Sequence, residues 1–292
     1  MIGELLKVKY EQYPALYQDA SSTAGESQKV FFRFLAGNLA SLLLLTIVEI
    51  VASESKLWSA VNLVLLLASL GCIFWIALKK PQEAWYNARA LAESVKTMTW
   101  RFVTKSEPYF GKLDEDSKHF VENLAKLLND NSSLGLPAPK VDQVSEEMKR
   151  VRNQTLDERQ KYYLKFRVSE QLLWYQTKAD SNATQSKYWF GFIVTLHFVA
   201  ILCTLSGVLE FVNGSSFFAL FLALASSSMA WLQAKRFQEL AASYSLTAHD
   251  ISLIKELGQR SMLGQEFSDF VGDAENAFSR EHTQWRARRD VG

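Results

Sequence analysis

Cysteine is nearly absent: Cys72 and Cys203 are the two in 292 residues. Each lies inside an apolar run, so both read as small buried hydrophobes, and neither a disulfide framework nor a cysteine metal site organises the chain. Phosphate loops of the form GxxxxGK[ST], GxSxG elbows, HExxH and CxxC are all missing, so no catalytic residue, cofactor or metal is expected and an enzyme is not the reading. Charge of one sign is also lacking. The net charge is +1, and Pro81 to Lys187 carries 17 Lys/Arg against 15 Asp/Glu, which leaves no basic face for a nucleic acid. No strand-like alternation of useful length occurs. The opening MIGELLKVKYEQY is mixed and charged, so no cleavable signal peptide is expected there.

The four histidines, at 119, 197, 249 and 282, are scattered. His249-Asp250 matches a dipeptide of metal-dependent phosphohydrolases, but such a site needs several more His and Asp ligands that the sequence does not place. A polar helix surface is the plainer reading.

What the chain does have is apolar length. Leu57 to Leu78 and Tyr188 to Leu209 are each 22 residues without a charge, and Phe211 to Ala234 is 24. Phe34 to Ser53 is 20 residues interrupted only by Glu49. About 20 helical residues at ~1.5 Å each cross a hydrocarbon core of ~30 Å, so four membrane helices are expected, at about 34–53, 57–78, 188–211 and 215–234. They pair as two hairpins, turning at Ser53–Leu57 and at Val212–Ser216, where Asn213-Gly214 is a strong turn signal. The tips hold little positive charge. The opposite ends carry Lys29, Arg33, Lys79, Lys80, Lys187, Lys235 and Arg236, which predicts cytoplasmic termini and a cytoplasmic middle segment. Trp58, Trp75, Trp189 and Trp231 lie near block ends, as interfacial rings do.

The chain repeats itself. LYQDASSTAGESQKVFF (Leu16 to Phe32) returns as WYQTKADSNATQSKYWF (Trp174 to Phe190), with Tyr17/Tyr175, Gln18/Gln176, Lys29/Lys187 and Phe32/Phe190 at one constant offset. After the hairpins, Leu91-Ala92-x-Ser94 is followed by Leu240-Ala241-x-Ser243. Two units are therefore expected. The first is 1–135, with cytoplasmic helices over 83–130. The second is 140–292, with one cytoplasmic helix at about 156–187 leading into the bilayer and others over 235–288. SSLGLPAP, Ser132 to Pro139, is the linker. Thr155-Leu-Asp-Glu158 has the capping-box pattern. Trp85, Ala88, Ala92, Val95 and Thr99 recur at helical spacing, as do Phe267, Phe270, Val271, Ala274, Phe278 and Trp285, and both stripes read as packing faces. The fold class is an all-α integral membrane protein.

Polar residues within the membrane blocks are the candidate functional positions. Glu49 and Glu210 recur near the outer end of each hairpin's first helix, where they mark either the headgroup boundary or an acidic, cation-favouring pore mouth. His197, Asn62 and Ser227 are candidate pore-lining residues, with helix packing as the plainer role. Four helices leave no wide lumen, so a pore needs several subunits. Arg89, Glu93, Arg101, Arg167, Gln171, Arg236, Arg280 and Glu281 are candidate switch contacts between cytoplasmic helices.

YPALYQDA and WYNARALAESVKTMTWRF around the first hairpin, and KYYLKFRVSEQLLWYQTKADSN, KRFQELAASY and FSREHTQW around the second, resemble the SLATT family of SMODS- and SLOG-associating two-transmembrane effector domains. The resemblance covers nearly the whole chain and carries no catalytic residues. It implies a homo-oligomeric effector of an anti-phage or conflict system in the bacterial inner membrane, in contact with membrane lipid. A nucleotide second messenger or a sensor protein would be its trigger. A non-conducting scaffold that recruits a cytosolic partner is the competing reading.

Overall fold

The structure, a computed structural model, describes residues 10–51, 55–209 and 217–289, with Tyr10 and residues 280–289 described by backbone alone. The hairpin tips at 52–54 and 210–216, including the Asn213-Gly214 turn, lie outside the described residues. Among the described residues ten α-helices follow one another: α1 (Ala15–Val51), α2 (Lys56–Lys79), α3 (Pro81–Thr104), α4 (Leu113–Asp130), α5 (Glu146–Arg152), α6 (Leu156–Tyr163), α7 (Glu170–Val208), α8 (Phe217–Lys235), α9 (Phe237–Gly258) and α10 (Gly264–Arg289). The described residues contain no strand, and the expected all-α membrane fold is what the structure shows.

α1, α2, α7 and α8 carry the apolar spans. Their large side chains stand outward: Leu63, Val64, Phe74, Phe198, Ile201 and Leu222 are all exposed. Water is the wrong solvent for such a surface, and lipid is the right one. α1 and α7 begin well before their apolar blocks, because no proline interrupts Ala15 to Phe34 or Glu170 to Lys187 and a helix needs no boundary where its solvent changes.

The chain separates into two compact units, each drawing on both halves of the sequence. Among the described residues, the hairpin unit holds 28–81 and 178–242, and the core unit holds 10–27, 82–177 and 243–289. In the hairpin unit, Phe34 of α1 stacks on Trp75 of α2, with ring centroids 3.9 Å apart and planes 2° from parallel. One turn on, Gly37 lets the helices close: a Cβ there would stand 3.4 Å from Cys72 Sγ. Phe32 meets Trp231 of α8 edge-on at 5.5 Å, so α1 touches a helix of each hairpin. Ile193, Leu196 and Ala200 of α7 and Ala225 and Ser228 of α8 are the buried positions of the second hairpin.

Of the stripe residues, the core unit buries Ala88, Ala92, Val95 and Thr99 on α3 and Phe267, Val271, Ala274 and Phe278 on α10, while Trp85 and Phe270 are half-buried and the Trp285 side chain lies outside the described residues. Phe102, Tyr109 and Phe120 form an aromatic cluster with centroids 4.8 to 5.8 Å apart, each such pair contributing about 0.5–1.5 kcal/mol beyond its area. The capping box is present: Thr155 Oγ1 accepts from the Glu158 N–H, and the Glu158 carboxylate accepts from the Thr155 N–H at 2.9 Å. Thr155→Ala should lower stability by about 1 kcal/mol in a denaturant titration, with Thr155→Ser close to wild type.

The helix expected over 156–187 is present as part of one helical span, Leu156–Val208, and widens at one turn. Residues Leu164–Ser169 are π-helical, between α6 and α7. Tyr163 and Val168, five residues apart, are both fully buried, and the core face then resumes at Leu172 and Tyr175. The extra residue shifts the buried face by one position, which a regular α-helix could not do. Gly258 completes this corner. A Cβ on it would come within 2.5 Å of Leu164 Cδ2 and 2.7 Å of the Phe270 ring.

Candidate functional site

Polar side chains inside the hairpin unit pair across helices. Ser69 of α2 donates to Asn38 Oδ1 of α1 at 2.7 Å, and Ser69 is buried. Toward the hairpin tip, Asn62 Nδ2 donates to the Glu49 carboxylate at 3.4 Å, a long bond to an exposed acid. Between helices in lipid such bonds contribute about 0.6 to 1.7 kcal/mol. His197 faces outward from α7, its Nδ1 2.9 Å from the Ile193 carbonyl one turn back. Ser227 is half-buried on α8, next to the buried Ser228. Glu210 lies outside the described residues. Among the described pore candidates, Glu49 and Asn62 share a contact.

The core unit holds the densest polar construction. Arg167, in the π turn, and Glu275, on α10, are 2% and 0% exposed. The Glu275 carboxylate accepts from Arg167 Nε at 2.8 Å and Nη2 at 2.6 Å, a bidentate pair. It also accepts from the Tyr163 hydroxyl at 2.9 Å and from Thr97 Oγ1 of α3 at 3.0 Å. Arg167 Nη1 donates to Gln171 at 3.2 Å, and its guanidinium lies 4.8 Å over the Phe278 ring. Burial works against the Arg167 charge, but Glu275 more than offsets it, so its pKa lies well above the usual arginine range. Burial and Glu275 together push the Tyr163 phenol far up, keeping it a neutral donor. One acid thus ties together α3, the π turn and α10.

The other switch candidates are placed more locally. Arg89 and Glu93 pair within α3 at 3.0 Å, and Lys96 reaches Glu93 at 3.7 Å. Glu93 is buried beside the α3 stripe, where its attraction, with that of nearby tyrosines, outweighs burial and raises the Arg89 pKa. Burial lowers Lys96, with Glu93 opposing. Arg101 crosses between helices, donating to Asn276 Oδ1 at 2.8 Å and the Gly272 carbonyl at 3.4 Å. Arg236 pairs with Glu239 three residues on. Arg280 and Glu281 belong to α10, but their side chains lie outside the described residues. His249 and Asp250 are exposed on α9, as polar helix surface should be.

Sequence reasoning missed Glu275, Tyr163, Thr97 and a second buried pair. Arg152, fully buried on α5, donates to the carbonyls of Phe102, Tyr109 and Gly111 and to the Asp116 carboxylate. A readable signal existed for the charged members. Glu275 follows Val271 and precedes Phe278 at the i+4 and i−3 positions of the apolar stripe, and Arg152 follows Met148 at i+4. A charge written into a core-facing register position asks for a buried partner.

Two adjacent stretches match known domain models. The model of the SMODS and SLOG-associating 2TM effector domain 3 matches residues 14–160, and that of the SMODS and SLOG-associating 2TM effector domain 1 matches residues 163–285. No curated protein and no solved structure matches the chain. Each matched stretch supplies one hairpin and part of the core unit, and the Thr97–Glu275 bond runs from the first stretch to the second.

Proposed function

The chain belongs to the SLATT family of two-transmembrane effector domains, two of which it carries in tandem, and on that premise we propose that it is a prokaryotic membrane effector of an anti-phage or conflict system. It oligomerises in the inner membrane and permeabilises or depolarises it when a linked sensor or nucleotide signal arrives. The observation that carries this reading is the uncovered apolar surface of four helices. With the Lys/Arg-rich ends on the cytoplasmic side, the termini and the core unit face the cytosol. A trigger shifts such an assembly only if it binds one arrangement better than the other. The contacts α10 makes through Glu275, Asn276 and the Gly272 carbonyl are the natural ones to exchange.

Reconstitution of the full chain into sealed vesicles tests the proposal. Dye or ion leakage is expected once the trigger is supplied, and overexpression in cells should collapse membrane potential and arrest growth. Glu49→Gln should reduce cation-over-anion preference if the acid lines a mouth. Vesicles that stay sealed under every condition, around a protein that retains a cytosolic partner, would establish the scaffold instead.

A further inference from the structure

The hairpin unit gathers cations at one level. Phe34 stacked on Trp75 and Phe32 against Trp231 set α1 beside both α2 and α8 at the same height. Lys235 completes that layer, its Nζ 3.4 Å from the Phe32 ring centroid and 4.8 Å from that of Trp231. Exposed Lys29 and Arg33 flank Phe32 on α1, and exposed Lys79 lies one turn beyond Trp75 on α2. The acids near this end are Asp180 and Glu239, with Glu26 three residues before Lys29 and Glu83 three residues after Lys80, and Glu239 pairs with Arg236.

Both hairpins also leave their second helix in the same unusual way. Lys80 and Arg236 have φ values of 45° and 53°, and their N–H groups bond back to the Ile76 and Leu232 carbonyls at 2.9 and 3.0 Å. Glycine is the ordinary residue for this left-handed position at a helix end, since a side chain there is strained. A cation stands in both places instead, each preceded by a lysine.

We infer that these cations, with Lys235 seated over the Phe32 ring, form a docking surface for the phosphate headgroups of anionic phospholipids. The inference rests on the membrane reading above and adds a named lipid class to it. Lys79, Lys80, Lys235, Arg33 and Lys29 supply charge at the level where apolar helix gives way to polar helix, and the Phe32 and Trp231 rings lie against Lys235. Anchoring at Lys80 and Arg236 holds the bends through which the chain passes from each hairpin into α3 and α9.

The test uses full-length protein in phosphatidylcholine vesicles. The association of phosphatidylglycerol relative to phosphatidylcholine is read by tryptophan quenching with brominated forms of each. Phosphatidylglycerol should be preferred at low salt, with the preference fading as salt rises. Lys80→Gly and Arg236→Gly keep the backbone conformation and remove the charges, so they should fold at least as well. Each should lower the preference by up to roughly fivefold. Equal association in the wild type, or an unchanged ratio in the glycine variants, would overturn the inference. So would inorganic phosphate that abolishes the preference at constant ionic strength, since the cations would then serve a soluble anion. Leakage measured on the same vesicles keeps the two proposals apart: leakage without lipid preference removes this inference alone.

Discussion

Glu275→Gln is expected to destabilise the core unit by about 3–5 kcal/mol, seen as a lowered unfolding midpoint and as lost hydrogen-exchange protection in α10. The glutamine matches the acid in shape, so the loss isolates charge. Arg167 would remain buried with no carboxylate against its guanidinium, and water cannot reach it to compensate. Arg167→Met should cost a similar amount, because Glu275 would then be the stranded ion, still bonded only by Tyr163 and Thr97. Combining Arg167→Met with Glu275→Leu removes both charges together. The double variant should therefore lose much less than the two single losses summed, since burying two matched charges is itself expensive. A Glu275→Gln variant within 1 kcal/mol of wild type would show that the pair is not sealed from solvent.

Arg152 gives the second large effect. It bridges α5 to α3, α4 and the segment between them, donating to three carbonyls and the Asp116 carboxylate from a fully buried position. Its guanidinium also lies 4.8 Å over the Phe102 ring. Arg152→Ala should again cost about 3–5 kcal/mol, since it strands one acid and removes the donor from three carbonyls. Arg152→Lys should rescue little. An ammonium is a compact charge that cannot span acceptors on both sides of a planar fork. Equal melting of Arg152→Lys and wild type, followed by thermal unfolding, would show that charge alone suffices there. Neither Arg152 nor Glu275 is expected to alter lipid preference, which separates these structural roles from the basic belt.

The hairpins were legible because lipid asks only for composition. Twenty apolar residues in a row declare their solvent without reference to any neighbour, and the amphipathic stripes of α3 and α10 declare a buried face almost as directly. The capping box was equally plain, being complete within four residues. The charged centre of the core was only half legible. Arg167 stood out as a candidate, but its partner is 108 positions away. Arg89 found an acid on its own helix, and Arg236 one on the helix that follows it. A pairing so distant leaves no periodic trace, and the residue that makes it was hidden inside a stripe read as apolar.

The amino-acid order by itself determined that the chain is all-helical, that it has four membrane spans in two hairpins, and that its opening passage is written twice. These are properties of short segments meeting a solvent, and each segment answers alone. Only the tertiary structure decided which charges are buried together, where α6 widens into a π turn, and that both halves build one core unit and one hairpin unit. Those outcomes depend on close packing between residues remote in the chain. One methyl at Gly258, or one charge at position 275, is allowed or forbidden by neighbours that the local sequence does not name.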